Sequence, residues 1–248
     1  MSKRFIIFIA LLSFLMFPVS ALAEGKICIA VAANFIQTFK ELASVFEKKE
    51  MVQVEATFAS SGSLYSQIIN GAPYDMFLSA DEDRPKRLSD AGLGGIPFIY
   101  ARGQVILWSA NKEFCGASDW QAALRTKDVK KLAIANPDIA PYGMAAKKAL
   151  EQSGLWDQLK VKLVNAQDVA QAFQYSTTGS VDASFCARSS LSSPEGRNGC
   201  YYEMKDAPDI VQSASVLKRA GDRTAIGKFA AFLVSPEAGI IKKKYGYR

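Results

Sequence analysis

The chain has 248 residues, of which 49% are hydrophobic and 22% charged, so it is long enough to bury a full globular core. Two lobes of about 100–120 residues each are ordinary at this length. The net charge is +6, and its densest basic run is Lys242-Lys243-Lys244. Nucleic-acid-binding surfaces combine a basic stripe with aromatic residues, which this run lacks, so we expect no nucleic-acid partner.

The first 23 residues have the pattern of an export signal. Lys3 and Arg4 precede an apolar run from Phe5 to Phe17, and Ala21-Leu22-Ala23 supplies the small-x-small pattern of a cleavage site. The apolar run is too short to span a membrane comfortably. We expect cleavage after Ala23, no lipid anchor because no cysteine follows, and a periplasmic product whose net charge has fallen to +4 with the loss of two cations.

The first part of the mature chain alternates between strand and helix patterns. Strands are predicted at residues 26–32, 52–58 and 74–80, because these runs are apolar or alternate between apolar and polar residues. Asn34 is expected to cap the first helix, and Ser60-Ser61 to begin the second. This order predicts a parallel sheet with ligand sites at the carboxyl ends of its strands.

The rest of the chain repeats this alternation. Further strands are predicted at residues 104–109, 131–135, 159–164, 181–187 and 210–217, and helices at 144–152, 169–175, 223–234 and 236–245. We expect the chain to cross into a second lobe near Arg102 and to return near Ile210. Lobe 1 would then contain residues 24–102 and 210–248, and lobe 2 residues 103–209.

Four of the predicted strand-to-helix turns share one property. The turns at Asn34, Ser61, Tyr142 and Val169 each present the free N–H groups of a helix start, and two belong to each lobe. Helix N-termini attract anions, so four of them facing one cleft would form an anion site. A capped helix without any ligand is the simpler interpretation of any single turn.

Several kinds of chemistry are excluded by what the chain lacks. It has no histidine, which removes Ser-His-Asp and Cys-His catalysis and histidine-ligated zinc. It has neither GxGxxG nor GxxxxGK[ST], so nucleotide-binding loops are not indicated. Asp75, Asp81, Glu82 and Asp83 form an acidic cluster, for which a solvated loop or helix start is a better interpretation than a metal site.

The four cysteines of the mature chain fall into two kinds of surroundings. Cys28 and Cys186 lie in apolar strand patterns, where we expect buried, free thiols. Cys115 and Cys200 lie in polar loops that contain glycine. Because an exported chain reaches an oxidising compartment, we expect a Cys115–Cys200 disulfide.

Several motifs resemble the periplasmic molybdate-binding proteins. The resemblance extends over essentially the whole mature chain, and its motifs are residues 32–35 (AANF), 58–62 (FASSG), 70–81 (NGAPYDMFLSAD), 134–137 (IANP), 140–143 (APYG) and 235–247. It implies a type II periplasmic-binding-protein fold, in which two α/β lobes with mostly parallel sheets close over a ligand in the cleft between them.

The same resemblance implies a function and a set of site residues. The chain would be the receptor of an ABC importer for molybdate or tungstate and would meet a membrane permease. It would be a binding protein and not an enzyme, would need no cofactor and would act as a monomer. Backbone amides and serine hydroxyls would hold the oxyanion. The matching positions are Asn34, Ser61, Tyr142 and Val169, with Ala33 and Ser60 as close neighbours, and the oxyanion would supply the only metal.

Two departures from the family pattern bear on ligand choice. Some members have serine where this chain has Asn34, and some place a tyrosine hydroxyl near the position of Cys186. A receptor for another tetrahedral oxyanion or for a small carboxylate is therefore the alternative. An exported hydrolase using Ser61 or a thiol would lack a base, and an adhesive protein would leave four anion-type turns without a use.

Overall fold

The computed structural model describes residues 25–248. The predicted export signal, residues 1–23, and its cleavage site lie outside the described residues. The described strands are β1 (Ile27–Ala32), β2 (Val54–Ala59), β3 (Met76–Leu78), β4 (Phe98–Gly103), β5 (Val105–Ser109), β6 (Leu132–Ala135), β7 (Leu163–Ala166), β8 (Ala183–Ala187), β9 (Cys200–Glu203) and β10 (Ile210–Val216).

Helices separate most of these strands. They are α1 (Ile36–Glu50), α2 (Ser61–Ile69), α3 (Asp83–Asp90), α4 (Trp120–Leu124), α5 (Pro141–Gln152), α6 (Trp156–Leu159), α7 (Val169–Thr177), α8 (Pro194–Asn198), α9 (Thr224–Leu233) and α10 (Pro236–Lys244). Single 3₁₀ turns lie at Ala33–Phe35, Lys112–Gly116, Lys160–Lys162, Arg188–Ser192 and Lys218–Ala220.

The strands form two five-stranded sheets, one in each lobe. The first has the order β2-β1-β3-β10-β4 and the second β7-β6-β8-β5-β9. In each sheet four strands run in one direction, while β10 in the first sheet and β5 in the second run antiparallel to both neighbours. The predicted two-lobed α/β fold with mostly parallel sheets is confirmed.

Helices cover the sheets because their apolar faces match the buried strands. Every residue of β1 except Cys28 is buried, as expected for a central strand between parallel neighbours. On α1 the buried side chains recur at helical spacing, at Phe39, Leu42 and Phe46. Phe46 packs edge-on against Phe229 of α9, which closes the core of the first lobe.

The chain passes between the sheets twice. β4 of the first sheet ends at Gly103 and β5 of the second begins at Val105, so one passage is a single residue, Gln104. The other lies between Glu203 at the end of β9 and Ile210 at the start of β10. The strands that run antiparallel to their neighbours are therefore the ones that follow each passage. The lobe boundaries placed at 102 and 210 stay a prediction.

Some predicted elements differ from those observed. The strand predicted at residues 159–164 is placed too early, because α6 ends at Leu159, a 3₁₀ turn follows at Lys160–Lys162 and β7 spans Leu163–Ala166. Leu159, Val161 and Leu163 alternate with lysines, and this strand-like periodicity does not distinguish the turn from the strand that follows it. β4 and β9 were not predicted.

The cysteines lie in three different environments. Cys115 and Cys200 are joined through their sulfur atoms, with their Cα atoms 6.1 Å apart, and link the turn after β5 to the edge strand β9. Cys186 is buried and free. Cys28 is free but only partly buried, contrary to expectation, because it is at the start of β1 with its sulfur 3.8 Å from Glu55 Oε2.

No single helix between residues 25 and 248 is long and apolar enough to cross a membrane. The helices α9 and α10 meet the length and composition requirement only together, as a pair bent by 57°.

Candidate functional site

A small pocket, partly open to solvent, lies between the two lobes. The space between its atoms is about 190 Å³, and part of that space is open to solvent. Its lining comes from the ends of strands and the starts of helices in both lobes: Ala32, Ala33, Asn34, Ser60, Ser61, Ala80, Ala140, Pro141, Tyr142, Asp168 and Val169. All six residues that the sequence singles out are therefore brought together around one small space.

The start of α2 supplies a hydroxyl and a backbone donor. Ser60 caps the helix, its Oγ accepting from Ser63 N at 3.3 Å, which leaves the N–H of Ser61 at the first helical position. Ser61 is buried, and its Oγ accepts a hydrogen bond from Ala80 N at 2.9 Å. Because that bond uses a lone pair, the hydroxyl proton of Ser61 remains available to a ligand.

The start of α5 has no side-chain cap. Its N-cap residue is Ala140, which has no polar group, and Pro141 follows as the first helical residue and has no N–H. The first backbone donor of this helix is therefore Tyr142, one of the residues that line the cavity. A helix start without a side-chain cap leaves its N–H groups for another acceptor.

The start of α7 is capped beyond the residue that lines the cavity. Asp168 Oδ1 accepts from Ala170 N at 2.9 Å and from Gln171 N at 3.0 Å. The N–H of Val169, at the first helical position, is not used by this cap. The predicted cap at residues 165–169 is thus provided by Asp168, and Val169 is left with a free first-turn donor.

Asn34 does not cap a helix, contrary to expectation. It lies in the 3₁₀ turn Ala33–Phe35, and α1 begins only at Ile36, with Phe35 at the N-cap and no side-chain bond. The Nδ2 atom of Asn34 instead donates to Gln212 Oε1 at 2.8 Å and to the Tyr247 hydroxyl at 3.0 Å. Asn34 cannot cap α1 because it lies inside the 3₁₀ turn that precedes the helix, so that Phe35 occupies the N-cap position.

Asn34 belongs to a buried set of hydrogen-bonded residues that we call the polar cluster. Its members come from both lobes and carry no formal charge: Asn34, Tyr100, Tyr142, Ser189, Gln212 and Tyr247. The Tyr142 hydroxyl lies 3.4 Å from both Asn34 Nδ2 and Gln212 Nε2. Tyr247 donates to the carbonyl oxygen of Asn34 at 2.7 Å, and Ser189 donates to the same atom at 2.8 Å.

Burial raises the pKa values of the tyrosines in this cluster. Loss of hydration raises the pKa of Tyr100 and of Tyr142 well above the ordinary value. It also raises the pKa of Tyr247 to about 12, since burial outweighs the hydrogen bonds that favour the phenolate. The three hydroxyls are therefore neutral at physiological pH and act as fixed hydrogen-bonding groups.

The lobes touch each other on both sides of the cavity. Gly62 N of α2 donates to Ile139 O, just before α5, at 2.8 Å. Arg84 Nη2 reaches Asp138 O at 3.4 Å, and on the other side the polar cluster joins Asn34 to Ser189. The structure therefore represents the closed form of the two-lobed protein.

The cavity has no lysine or arginine in its lining, within the part of the chain that the structure describes. The single charged lining residue, Asp168, directs its carboxylate to the N–H groups of α7. The electrostatic attraction for an anion therefore comes from helix N-termini and hydroxyls rather than from a countercharge.

The acidic cluster is divided among structural roles. Asp75 is buried and pairs with Arg219 and Arg223 at 3.0 and 2.9 Å. Asp81 pairs with Arg84, and Asp83 begins α3. Among residues 25–248 no group of three or more histidine, cysteine, aspartate or glutamate side chains is placed to hold a metal ion.

Nucleophilic chemistry has no support at this site. The hydrogen-bond partner of Ser61 Oγ is the backbone N–H of Ala80, which cannot accept the hydroxyl proton. Cys186 lies in the core of the second lobe, outside the lining of the cavity, and burial raises the pKa of its thiol to about 12. The arrangement can hold an anion, and the one carboxylate in its described lining, that of Asp168, accepts from N–H groups of α7.

Sequence reasoning missed most of the polar cluster. Gln212 and Ser213 interrupt the apolar strand β10 while staying buried, which was the one available signal of a polar contact there. Tyr100 lies in β4, which was not predicted as a strand. Ser189 lies in a short turn after β8 and gives no periodic pattern at all.

Comparisons with known proteins agree with this geometry. A family model of bacterial extracellular solute-binding proteins matches residues 27–248. The molybdate-binding protein ModA of Rhodobacter capsulatus is 37% identical over 227 residues, which are 91% of this chain and 89% of that protein. The molybdate-binding protein ModA of Azotobacter vinelandii is 38% identical over 237 residues, covering 92% of this chain and 91% of the relative.

A solved structure of a molybdate-binding protein has a similar fold. The periplasmic molybdate-binding protein of Azotobacter vinelandii superposes on this chain with a TM-score of 0.83 at 34% sequence identity. The match covers 90% of this chain and 98% of that structure. The similarity therefore includes both lobes and the cleft between them.

Proposed function

This chain belongs to the bacterial extracellular solute-binding proteins, and on that premise we propose that it binds molybdate or tungstate in the periplasm and delivers it to an ABC-type permease. Asn34, Ser61, Tyr142 and Val169 hold the oxyanion, with Ala33 and Ser60 beside them. The relatives are named as binding proteins, and the role is binding and not catalysis.

One observation carries the proposal: the starts of α2, α5 and α7, from opposite lobes, face one small pocket that has no basic side chain in its described lining. An unpaired ion is expensive to bury, so the protein must replace its hydration shell with oriented donors. Each charge-assisted hydrogen bond contributes about 1.5–3 kcal/mol. Each exposed helix N-terminus adds about 0.3–1 kcal/mol, and more when partly buried.

The type of donor also selects the protonation state of the ligand. Backbone N–H groups donate and cannot accept, so an oxyanion that carries a proton must find an acceptor elsewhere. Molybdate and tungstate are unprotonated dianions at neutral pH, whereas phosphate retains a proton. The site therefore favours molybdate, tungstate and sulfate over phosphate, because each oxygen of an unprotonated oxyanion can accept hydrogen bonds from these donors.

The proposal also includes export and a monomeric receptor. The signal pattern in residues 1–23 directs the chain across the inner membrane, and the free receptor acts as a monomer in the periplasm. Its permease partner meets the outer surfaces of the two lobes, because the ligand itself is enclosed.

Thermal unfolding with a panel of anions tests this function. A ligand at 100 times its Kd stabilises the folded state by about 2.7 kcal/mol, which raises the melting temperature of a chain of this size by about 5–10 °C. We expect this shift with molybdate and tungstate and a smaller one with phosphate. A larger shift with another oxyanion or with a small carboxylate would assign the alternative ligand, and no shift with any anion would contradict the proposed function.

A further inference from the structure

We propose that the contact between Gly62 and the backbone of Ile139 sets how closely the two lobes approach, so that the absence of a side chain at residue 62 is required for complete closure over the ligand. This inference rests on the proposed function, since closure is the step that encloses the oxyanion. It assigns a positioning role to a residue that touches neither the ligand nor its donors through a side chain.

The first support is the geometry of the contact. A Cβ atom placed on Gly62 would lie 2.8 Å from Ile139 Cβ, 2.8 Å from Ile139 O and 2.9 Å from Ile139 Cα. Carbon atoms in favourable contact are about 3.5–4.0 Å apart, so the closed form has no room for this methyl group. Two of the three atoms belong to the backbone of Ile139, so no rotation of a side chain can relieve the overlap.

The second support is that glycine has no other reason to occupy this position. Gly62 is the second residue of α2 and is not among the residues with positive φ, so the backbone there suits any L-residue. Glycine is a poorer helix former than alanine, so local structure alone favours replacement. What remains to require glycine is the close approach of the opposite lobe.

The third support is the position of the contact relative to the donors. Gly62 directly follows Ser61, and Ile139 comes shortly before Tyr142. The 2.8 Å hydrogen bond from Gly62 N to Ile139 O therefore joins the start of α2 to the segment that enters α5. A change in this distance changes the spacing between the donors of lobe 1 and those of lobe 2.

The test compares Gly62→Ala and Gly62→Leu with Gly227→Ala as a matched control. Gly227 is also a helical glycine, in α9, and a Cβ there meets nothing within 4 Å. Three quantities are measured for each variant: the Kd for molybdate by calorimetry, the melting temperature without ligand, and the protection of the residue 62 amide against hydrogen exchange when molybdate is added.

We expect Gly62→Ala to bind molybdate at least tenfold more weakly than the parent, and Gly62→Leu to bind more weakly still. Without ligand, both variants should melt within 2 °C of the parent or above it. Molybdate should protect the residue 62 amide in the parent and in Gly227→Ala, and should fail to do so in the two Gly62 variants.

Several outcomes would overturn the inference. They are a parental Kd in Gly62→Ala, full protection of the amide in that variant, and a loss of ligand-free stability large enough to show that the contact already exists in the open form. A parent chain that binds no oxyanion in the thermal panel would instead contradict the proposed function, so the two failures are distinguishable.

Discussion

At the scale of single residues, the Ser61 hydroxyl can accept a hydrogen bond from the protein and donate one to the ligand at the same time. Its Oγ accepts from Ala80 N, so the proton is directed away from that bond. We expect Ser61→Ala to weaken molybdate binding by about 1–3 kcal/mol, because a charge-assisted hydrogen bond is lost. Calorimetric titration measures the change.

The matched control is Ser66→Ala, which removes an exposed hydroxyl from the same helix. It should bind molybdate like the parent. Ser61→Ala also leaves the Ala80 N–H without its acceptor, so the melting temperature without ligand should be recorded separately. Equal affinities in Ser61→Ala and Ser66→Ala would show that the hydroxyl takes no part in binding.

Tyr142 and Val169 present backbone donors, but their side chains have different surroundings. The Tyr142 ring enters the polar cluster and leaves no space for a Cβ on Gly103, whereas the Val169 side chain packs in the core of the second lobe. The sequence alone predicts little effect of side-chain truncation on ligand binding at either position. For Tyr142 the structure adds an effect on stability, because its ring is part of the contact between the lobes.

We therefore expect Tyr142→Phe and Val169→Ala to retain molybdate affinity within about threefold, or about 0.7 kcal/mol. Tyr142→Ala should lower the free energy of unfolding by about 3–5 kcal/mol, as for other buried aromatic residues. Urea unfolding and calorimetry on the three variants distinguish these effects. A Val169→Ala chain that folds normally yet binds no molybdate would contradict a backbone donor at that position.

At the scale of elements, the Cys115–Cys200 bond holds the edge of the second sheet. The linked residues are 85 positions apart, and Cys200 begins the edge strand β9. Closing a long loop lowers the entropy of the unfolded chain, so Cys200→Ser should cost about 2–5 kcal/mol of stability. Urea unfolding of this variant measures the cost.

Cys28→Ser serves as the control, since Cys28 is free and partly exposed. It should unfold at nearly the same urea concentration as the parent, and mass spectrometry of the unreduced parent should identify one linked peptide pair. If reduction of the parent left its stability unchanged, the bond would have no stabilising role.

The polar cluster shows how elements distant in sequence are joined without charge. Gln212 of β10 accepts from Tyr100 of β4 at 3.0 Å and from Asn34 at 2.8 Å. Because each passage between the lobes ends or begins at one of these strands, the cluster lies where the lobes turn relative to each other. Fully bonded neutral groups can be buried there at low cost, whereas a charge would need a partner.

At the scale of the whole molecule, the same cluster makes stability depend on alkaline pH. The pKa of Tyr247 is raised to about 12, and those of Tyr100 and Tyr142 are raised well above the ordinary value of 10.0. Between these values the folded chain keeps protons that the unfolded chain has lost. The stabilisation is complete below pH 10 and is lost as the pH rises from about 10 towards 12.

We expect the free energy of unfolding to fall over this range by about 1.4 kcal/mol per pH unit for each buried tyrosine. Unfolding measured at a series of pH values, together with tyrosine absorbance, follows the change. Tyr247→Phe should reduce the slope of unfolding free energy against pH by the amount that corresponds to one proton. Tyr201→Phe, which alters an exposed residue, should leave this slope unchanged. A slope that is the same in both variants would contradict the assignment.

The sequence by itself determined the alternation of strands and helices, the two lobes and the residues at the helix starts that line the pocket between the lobes. These depend on local periodicity, turn composition and motif spacing, which act within about ten residues. For that reason the motifs at Ser61 and Tyr142 were recognisable without coordinates, and the position of β7 after a short helix was not.

Only the tertiary structure decided the use of particular side chains. Asn34 lies inside a 3₁₀ turn and does not cap a helix, and its amide N–H groups donate to Gln212 and Tyr247, which are distant in sequence. A Cβ atom at Gly62 would overlap Ile139 of the opposite lobe, although the backbone φ of Gly62 suits any L-residue. Such choices depend on groups that meet only when the lobes close, and no local pattern records which groups those are.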